Sequence, residues 1–200
     1  MVFFRRAEGT PGRLAILSSA FHPVTRAHMA LAQAALTRAC EVLFVLPRVQ
    51  PHKSYDDVIL EDRLRIVLAA TAHDPRFSVA VSDGGLFIEI ARECRPHYPP
   101  NVQLAFVCGA DTAERILNWD YGEPGAVAKQ LEEFELWVAD RGVRFEPPQA
   151  YRDRVSRLEI PPAMQTISST EVRRRIAAGQ DWQSLVPNST RALVREIYRA

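Results

Sequence analysis

Short, mostly apolar runs alternate along this chain with longer segments that have the character of helices. Runs of this kind are typical of strands that are buried on both faces of a parallel sheet. They predict five strands and a short sixth, at residues 14–17, 42–46, 77–81, 102–108, 134–139 and 155–160.

The segments between the predicted strands favour helices. Residues 25–39 contain many Ala and Leu residues and neither Gly nor Pro, and residues 60–72 place their leucines on one helical face. A proline-rich segment, residues 142–166, is predicted to be irregular apart from the sixth strand. Four other helices are predicted. The first covers residues 86–94, and the second begins near Ala110. The third runs from Ser169 or Thr170 to about Ala178, and the last follows residues 187–190 and continues to the C-terminus.

This alternation of strands and helices predicts an α/β fold. We expect a Rossmann-like, doubly wound, mostly parallel sheet of five or six strands with helices on both faces. No repeat or linker divides the chain, so residues 1–200 are predicted to form a single domain. In such sheets ligands bind beyond the carboxyl ends of the strands, near the switch in strand order. The turn after the first predicted strand and the turn at Gly109 and Asp111 should both open there.

Composition excludes several classes of function. Hydrophobic residues make up 47% of the 200 residues, and the formal net charge is +1. A balanced chain does not coat nucleic acid or an anionic membrane, so any attraction for phosphate must be local. No apolar run approaches the roughly 20 residues that span a bilayer, and no signal peptide is evident, so a cytoplasmic protein is expected. The spacing of Cys40, Cys94 and Cys108 forms no metal or disulfide pattern and predicts buried thiols in a reducing compartment.

Two segments have the layout of phosphate sites. In residues 14–28 an apolar strand enters a turn of small residues, and the helix that follows carries Thr25 and His28 three residues apart. Backbone N–H groups at the start of a helix favour an anion, and an imidazole adds a donor. A second segment, residues 167–173, reads Ile-Ser-Ser-Thr-Glu-Val-Arg. Two such segments predict chemistry on a polyphosphate.

The first segment resembles the signature of the nucleotidylyltransferase superfamily, Phe-x-Pro followed by His/Thr-x-x-His, at Phe21, Pro23, Thr25 and His28. Further blocks in the same order resemble nicotinate/nicotinamide mononucleotide adenylyltransferases. These blocks are Pro51-His52-Lys53, Arg63, Gly109-Ala110-Asp111 with Trp119, Ala139-Asp140-Arg141-Gly142, Ile167 to Arg173, and Val186-Pro187 with Val194 and Ile197-Tyr198.

The resemblance implies a reaction and a domain plan. The phosphate of a pyridine mononucleotide, nicotinate or nicotinamide, would attack the α-phosphorus of ATP and release pyrophosphate, a step in NAD biosynthesis. Mg²⁺ would arrive with ATP, and no metal would be bound by the protein itself. The nucleotidylyltransferase-like domain would span residues 1–200, with residues 168–200 as a C-terminal helical subregion that completes the phosphate site.

The resemblance also implies roles for the matched residues. His28 would stabilise charge at the α-phosphate, Thr25 would add a hydroxyl contact, and Lys53 and Arg173 would neutralise phosphate. Trp119 would stack on the pyridine ring, with Arg141 near that end of the mononucleotide. The ATP and phosphate contacts would come from Ser18, Ser19, Ala20, Phe21, His28, Gly109, Asp111, Ile167, Ser168, Ser169 and Arg173.

Two departures from the family pattern keep alternatives open. Ser18 and Ser19 stand where the family has paired glycines, and residues 83–91 lack its Tyr-Thr-x-x-Thr segment. The alternatives are a relative that uses another phosphate acceptor or CTP as donor, and a non-catalytic nucleotide-binding protein. The oligomeric state is left open, and neither nucleic acid nor a membrane is expected as a partner.

Overall fold

A computed structural model describes residues 1–49, 58–140 and 144–199. Its strands are β1 (Val2–Arg5), β2 (Arg13–Ser18), β3 (Glu41–Pro47), β4 (Phe77–Ser82), β5 (Gln103–Gly109), β6 (Glu135–Ala139) and β7 (Val155–Leu158). Its α-helices are α1 (Arg26–Ala35), α2 (Leu60–Thr71), α3 (Phe87–Cys94), α4 (Ala110–Leu117), α5 (Ala126–Glu133), α6 (Pro162–Gln165), α7 (Ser169–Ala177) and α8 (Arg191–Tyr198). Short 3-10 turns cover Arg95–His97, Gln149–Tyr151, Gln183–Leu185 and Asn188–Thr190.

The strands form one sheet in the order β1-β4-β3-β2-β5-β6-β7. Every neighbouring pair is parallel except β1 with β4. The chain therefore winds outward from β2 in one direction through β3 and β4, and then returns to the other side of β2 through β5, β6 and β7. This reversal opens a crevice at the carboxyl ends of β2 and β5, where ligands bind in doubly wound sheets.

Helices cover both faces of the sheet, as predicted. Alternate strand residues point to opposite faces, so Leu43 and Phe44 of β3 belong to two separate apolar clusters. Phe44 faces α1, α2, α7 and α8, whereas Leu43 faces α3, α4 and α5. The tryptophans Trp137 and Trp182 both pack in the same cluster as Phe44. The α/β class and the doubly wound arrangement are thus confirmed.

Within the described residues, the sheet has seven strands rather than five or six. The additional strand, β1, pairs antiparallel with β4 at the edge of the sheet. Val2 and Phe4 are exposed, because one face of this edge strand meets solvent. A strand of four residues that is half-buried on one face and exposed on the other gives a weak apolar pattern, which explains why it was not predicted.

Several helix boundaries differ from the predicted ones. Thr25 caps α1 instead of lying in it, and the helix ends at Ala35 rather than residue 39. Ser168, not Ser169 or Thr170, caps α7, because its side chain accepts the Glu171 backbone N–H. Two short helices, α5 and α6, were not predicted. Of the helices in the described residues, none has the length and apolar content that a membrane crossing requires.

The cysteine prediction holds for two of the three thiols. Cys94 and Cys108 are buried, and burial raises the pKa of each thiol to about 12. Cys40 is exposed, so the prediction is wrong there. Cys40 lies in the turn between the end of α1 at Ala35 and the start of β3 at Glu41.

The turn between α2 and β4 is organised by Asp74. Its carboxylate accepts three hydrogen bonds from Arg76, at 2.8 to 3.0 Å, and one from Gln33 of α1 at 3.4 Å. The hydrogen bonds from the Arg76 side chain are the main reason that the pKa of Asp74 falls to about 2.

We predict that Asp74→Asn lowers the free energy of unfolding at pH 7 by about 1 kcal/mol. Because the carboxyl pKa is lower in the folded than in the unfolded protein, its stabilisation is complete above about pH 4 and is lost as the pH falls through about 2. Urea unfolding of both proteins between pH 2 and 7 measures the difference. Asp83→Asn, which changes an exposed carboxylate, is the control, and an equal loss for Asp74→Asn at both ends of the range would contradict the prediction.

Candidate active site

A cavity of about 480 Å³ opens at the carboxyl ends of β2 and β5. Both predicted phosphate segments line it, although they are more than 100 residues apart in sequence. The predicted site residues on its wall are Ser18, Ser19, Ala20, Phe21, Thr25, His28, Gly109, Asp111, Ile167, Ser168, Ser169 and Arg173. The strand reversal at β2 is what brings the two segments to one crevice.

Phe21 shapes the turn between β2 and α1. Its φ of 47° lies in the left-handed region, which residues other than glycine rarely adopt. Its side chain is fully buried, and the ring packs against His28 at 5.1 Å and Phe44 at 5.7 Å between centroids. The packing of the buried Phe21 ring therefore holds the backbone of the turn in a conformation that is strained for a residue other than glycine.

Arg63 supports the same turn from α2. It is only 6% exposed, and its Nη1 donates to the carbonyl oxygen of Ala20 at 2.9 Å. A buried guanidinium that is hydrogen-bonded to backbone fixes that carbonyl and brings a permanent positive charge behind the turn. The sequence pattern singled out Arg63, but not this contact.

Thr25 and His28 form a capping box at the start of α1. The Thr25 hydroxyl oxygen accepts from the His28 backbone N–H at 3.4 Å, and the Thr25 backbone N–H donates to Nδ1 of His28 at 3.0 Å. Because Nδ1 accepts a backbone N–H, we assign the proton of the neutral imidazole to Nε2. His28 is thereby held as an Nε2 donor on the wall of the cavity.

The start of α7 is fastened to the turn that precedes α1. The Ser169 hydroxyl donates to the carbonyl oxygen of Pro23 at 2.8 Å, and Nη1 of Arg173 donates to the carbonyl oxygen of His22 at 2.6 Å. The Ser168 side chain accepts the Glu171 N–H at 3.1 Å. The Ser169 hydroxyl proton thus points to the protein backbone, which leaves its backbone N–H as the group that can meet an anion at this helix end.

Of the two residues predicted to bind the mononucleotide, Trp119 and Arg141, the structure describes Trp119. Trp119 follows α4, is 38% exposed and does not line the cavity. Lys53 and Arg141 lie outside the described residues. The neighbours of Arg173, Arg174 and Arg175, both pair with Glu171, and their hydrogen bonds lower its pKa to about 2.

Among the described residues, the cavity wall also carries His22, Arg115 and Asp140, which were not predicted as site residues. Arg115 is four residues beyond Asp111 on α4, a helical spacing that could have indicated it. The Asp140 carboxylate accepts from the Arg157 guanidinium and from the Phe145 backbone N–H, and chiefly the Arg157 hydrogen bond lowers its pKa. No sequence pattern links Asp140 to Arg157, because the contact depends on the pairing of β6 and β7.

Comparison with known proteins identifies the family. The cytidylyltransferase-like family matches residues 16–175, a range that begins within β2 and includes the turn after it, α1 and the second phosphate segment. The chain belongs to this family.

Relatives narrow the assignment within the cytidylyltransferase-like proteins. A protein of Salinispora arenicola named "probable nicotinate-nucleotide adenylyltransferase" is 35% identical over 86% of this chain and 93% of its own length. A Moorella thermoacetica protein of the same name is 30% identical over 94% of this chain and 93% of its own length. The chain is therefore a member of the nicotinate-nucleotide adenylyltransferases, which are nucleotidyltransferase enzymes, and the resemblance noted from its motifs is confirmed.

A solved structure shares the fold. The nicotinic acid mononucleotide adenylyltransferase of Plasmodium falciparum, complexed with NaAD, superimposes with a TM-score of 0.70 over 94% of this chain and 97% of its own. Its sequence is 18% identical, so the likeness concerns the architecture of the adenylyltransferase and not its individual site residues.

We predict that Thr25→Ala in this adenylyltransferase lowers the free energy of unfolding by about 1 kcal/mol, because α1 loses its N-cap. Thr25→Ser keeps the hydroxyl and should retain most of the stability. Urea unfolding at pH 7 measures both variants. Thr37→Ala removes an exposed threonine hydroxyl beyond the other end of α1 and serves as the control; if it costs as much as Thr25→Ala, the capping argument is wrong.

Proposed function

We propose that this protein joins ATP to nicotinate mononucleotide, with the dinucleotide and pyrophosphate as products. The observation that carries the proposal is the meeting of two phosphate-type segments on one cavity at the strand reversal. The names of the relatives support nicotinate mononucleotide as the acceptor. Nicotinamide mononucleotide carries an amide where nicotinate mononucleotide carries a carboxylate, and it is the nearest competing acceptor.

The chemistry requires positioning and charge neutralisation. An oxygen of the mononucleotide phosphate attacks the α-phosphorus of ATP, and the bond from that phosphorus to the oxygen bridging to the β-phosphate breaks. Pyrophosphate takes the electron pair of the broken bond, and no covalent enzyme intermediate forms. A protein accelerates such a transfer by holding the two phosphates in line and by stabilising the charge that develops on their oxygens.

The residues on the cavity wall can supply these effects. The Nε2–H of His28 donates to the α-phosphate, and Thr25 holds the ring in the required orientation. Arg173 has five N–H donors and uses one on the His22 carbonyl, so others remain for phosphate oxygens. Ser168 and the backbone N–H groups at the start of α7 contact the remaining phosphates.

The β2 turn and α4 take the other parts of the ligands. The turn at Ser18, Ser19, Ala20 and Phe21 approaches the triphosphate, with Lys53 as a further cation. Ser19 contributes its hydroxyl, because its backbone N–H already donates to the carbonyl oxygen of Val45 at 3.2 Å. At the end of β5, Gly109 lets the nucleotide approach closely, and on α4 Asp111 accepts from a ribose hydroxyl.

Trp119 and Arg141 act on the pyridine end of the mononucleotide. For Trp119, this requires the segment after α4 to meet the ligand beyond the cavity wall. We further propose that residues 1–200 act as one domain in which residues 168–200 complete the phosphate site.

Mg²⁺ is the metal ion that the family resemblance implies. Within residues 1–49, 58–140 and 144–199, no cluster of three His, Cys, Asp or Glu side chains could form a metal cage. Mg²⁺ is commonly held by substrate phosphates, water and one or two carboxylates, and the carboxylate of Asp111 on the cavity wall fits that arrangement. When bound with ATP, Mg²⁺ neutralises triphosphate charge.

The purified protein should release pyrophosphate and form a dinucleotide from ATP, Mg²⁺ and nicotinate mononucleotide. Parallel reactions with nicotinamide mononucleotide, and with CTP in place of ATP, test the competing substrates. Turnover confined to another pair of substrates would reject the acceptor or donor proposed here. ATP binding by calorimetry without turnover on any acceptor would favour a non-catalytic protein.

We predict that His28→Ala lowers kcat at least about 100-fold, because a preorganised donor to the reacting phosphate is lost. His73→Ala, which removes an exposed histidine from the turn after α2, is the matched control and should retain full activity. Pyrophosphate release measures both, and circular dichroism checks that each variant is folded. Near-normal turnover of a folded His28→Ala protein would rule out this mechanism.

We also predict that Trp119→Ala weakens binding of the mononucleotide more than binding of ATP. The KM for the mononucleotide should rise about tenfold, because stacking on an aromatic base is worth on the order of 1–3 kcal/mol. Trp119→Phe keeps a ring and should lose less. Steady-state kinetics with each substrate varied in turn separates the two effects. An equal rise in both KM values would show that the indole contributes packing alone.

A further inference from the structure

His22 connects three parts of the protein at the back of the cavity. It is 2% exposed, and it lies in the turn between β2 and α1. Its Nδ1 is 2.7 Å from the hydroxyl oxygen of Tyr198 on α8, and the two rings lie 5.3 Å apart between centroids. Its carbonyl oxygen accepts from Nη1 of Arg173 at 2.6 Å. One buried residue therefore touches both C-terminal helices that pack over the turn.

Tyr198 reaches this position from outside the cavity. It belongs to α8, which packs on α2, and it is not among the residues that line the cavity. Its hydroxyl nevertheless contacts a buried imidazole that does line the cavity. A buried polar ring is strongly oriented by its hydrogen bonds, because a lost partner leaves it with an unmet desolvation cost.

The two contacts of His22 are mechanically linked. Fixing the ring restricts the rotamer of His22 and, with it, the backbone angles that the residue can adopt. Those angles set the direction of the His22 carbonyl, and the carbonyl orients the planar guanidinium of Arg173 through a short hydrogen bond. A change at Tyr198 should therefore alter the angle at which Arg173 presents its remaining donors to the cavity.

We infer that Tyr198 is a positioning residue for the adenylyl transfer reaction, acting through His22 on Arg173. The inference rests on the proposed function, because it assumes that Arg173 contacts the phosphates of ATP. It assigns the last helix a part in phosphate recognition that is distinct from the packing of its apolar face.

The test is a double-mutant cycle on kcat. Tyr198→Phe should lower kcat about fivefold to tenfold, the loss of one hydrogen bond, while both KM values stay within about twofold. Arg173→Lys should lower kcat on its own by about 100-fold. If Tyr198 acts through Arg173, the double variant Tyr198→Phe, Arg173→Lys should have a kcat within about twofold of Arg173→Lys alone.

Two further variants separate positioning from packing. Tyr98→Phe removes another buried tyrosine hydroxyl, one that donates to Glu41 at 2.6 Å on the far side of the sheet. It should lower the melting temperature while leaving kcat unchanged. In His22→Asn the side-chain amide lies near the former position of Nδ1 and can bond Tyr198, so it should keep more activity than His22→Leu.

The outcomes divide cleanly. Independent effects, in which the two single losses multiply in the double variant, would overturn the inference, as would a Tyr198→Phe protein with unchanged kcat. If the wild-type protein makes no dinucleotide, the proposed function fails, and the same cycle is then measured on the dissociation constant for ATP by calorimetry. Non-additive losses of ATP affinity would still support the link between Tyr198 and Arg173, and additive or absent losses would refute it.

Discussion

The active site depends on two hydrogen bonds that join opposite ends of the chain. Ser169 donates to the carbonyl of Pro23 and Arg173 donates to the carbonyl of His22, across 146 and 151 residues of sequence. Both acceptors are backbone oxygens of the turn that follows β2, and both donors belong to the first turns of α7. The strand reversal opens the cavity, and these two bonds hold a helix end against a strand end there, which fixes the two phosphate segments relative to each other.

Several other contacts also constrain the turn that follows β2. Arg63 holds the carbonyl of Ala20, the buried Phe21 ring fixes a left-handed backbone, and the capping box of Thr25 ends the turn by starting α1. A turn without glycines has fewer backbone conformations to lose on folding, and its side chains can act as anchors. Ser18 and Ser19 in place of paired glycines are thus accommodated by a shape that the surrounding contacts impose.

Much of this arrangement could be predicted from the sequence, for physical reasons that differ by residue. The strand, turn and helix around Ser18 to His28 follow from local apolar runs and helix propensity, so these elements were predicted correctly. The convergence of that segment with Ser168 was expected only through the family resemblance. Contacts such as Arg157 with Asp140 and Tyr198 with His22 depend on strand pairing and helix packing over long separations, and local patterns do not record them.

Boundaries were less predictable than elements. Ser168, Ser169 and Thr170 are all good caps, and only the tertiary contacts decide that Ser169 turns toward Pro23 while Ser168 caps the helix. The edge strand β1 was missed because it contributes one buried face and four residues. In both cases the deciding energy comes from neighbours that are distant in sequence.

The unequal exposure of the thiols has a practical consequence. Cys94 and Cys108 stay protonated at neutral pH because burial raises each pKa to about 12, and a protonated thiol is a poor nucleophile. Cys40 offers its sulfur to solvent immediately before β3, at the amino edge of the parallel strands and therefore on the side away from the nucleotide crevice. A maleimide fluorophore or a surface tether can accordingly be attached to the unmodified sequence at one point, with the substrate entrance left clear.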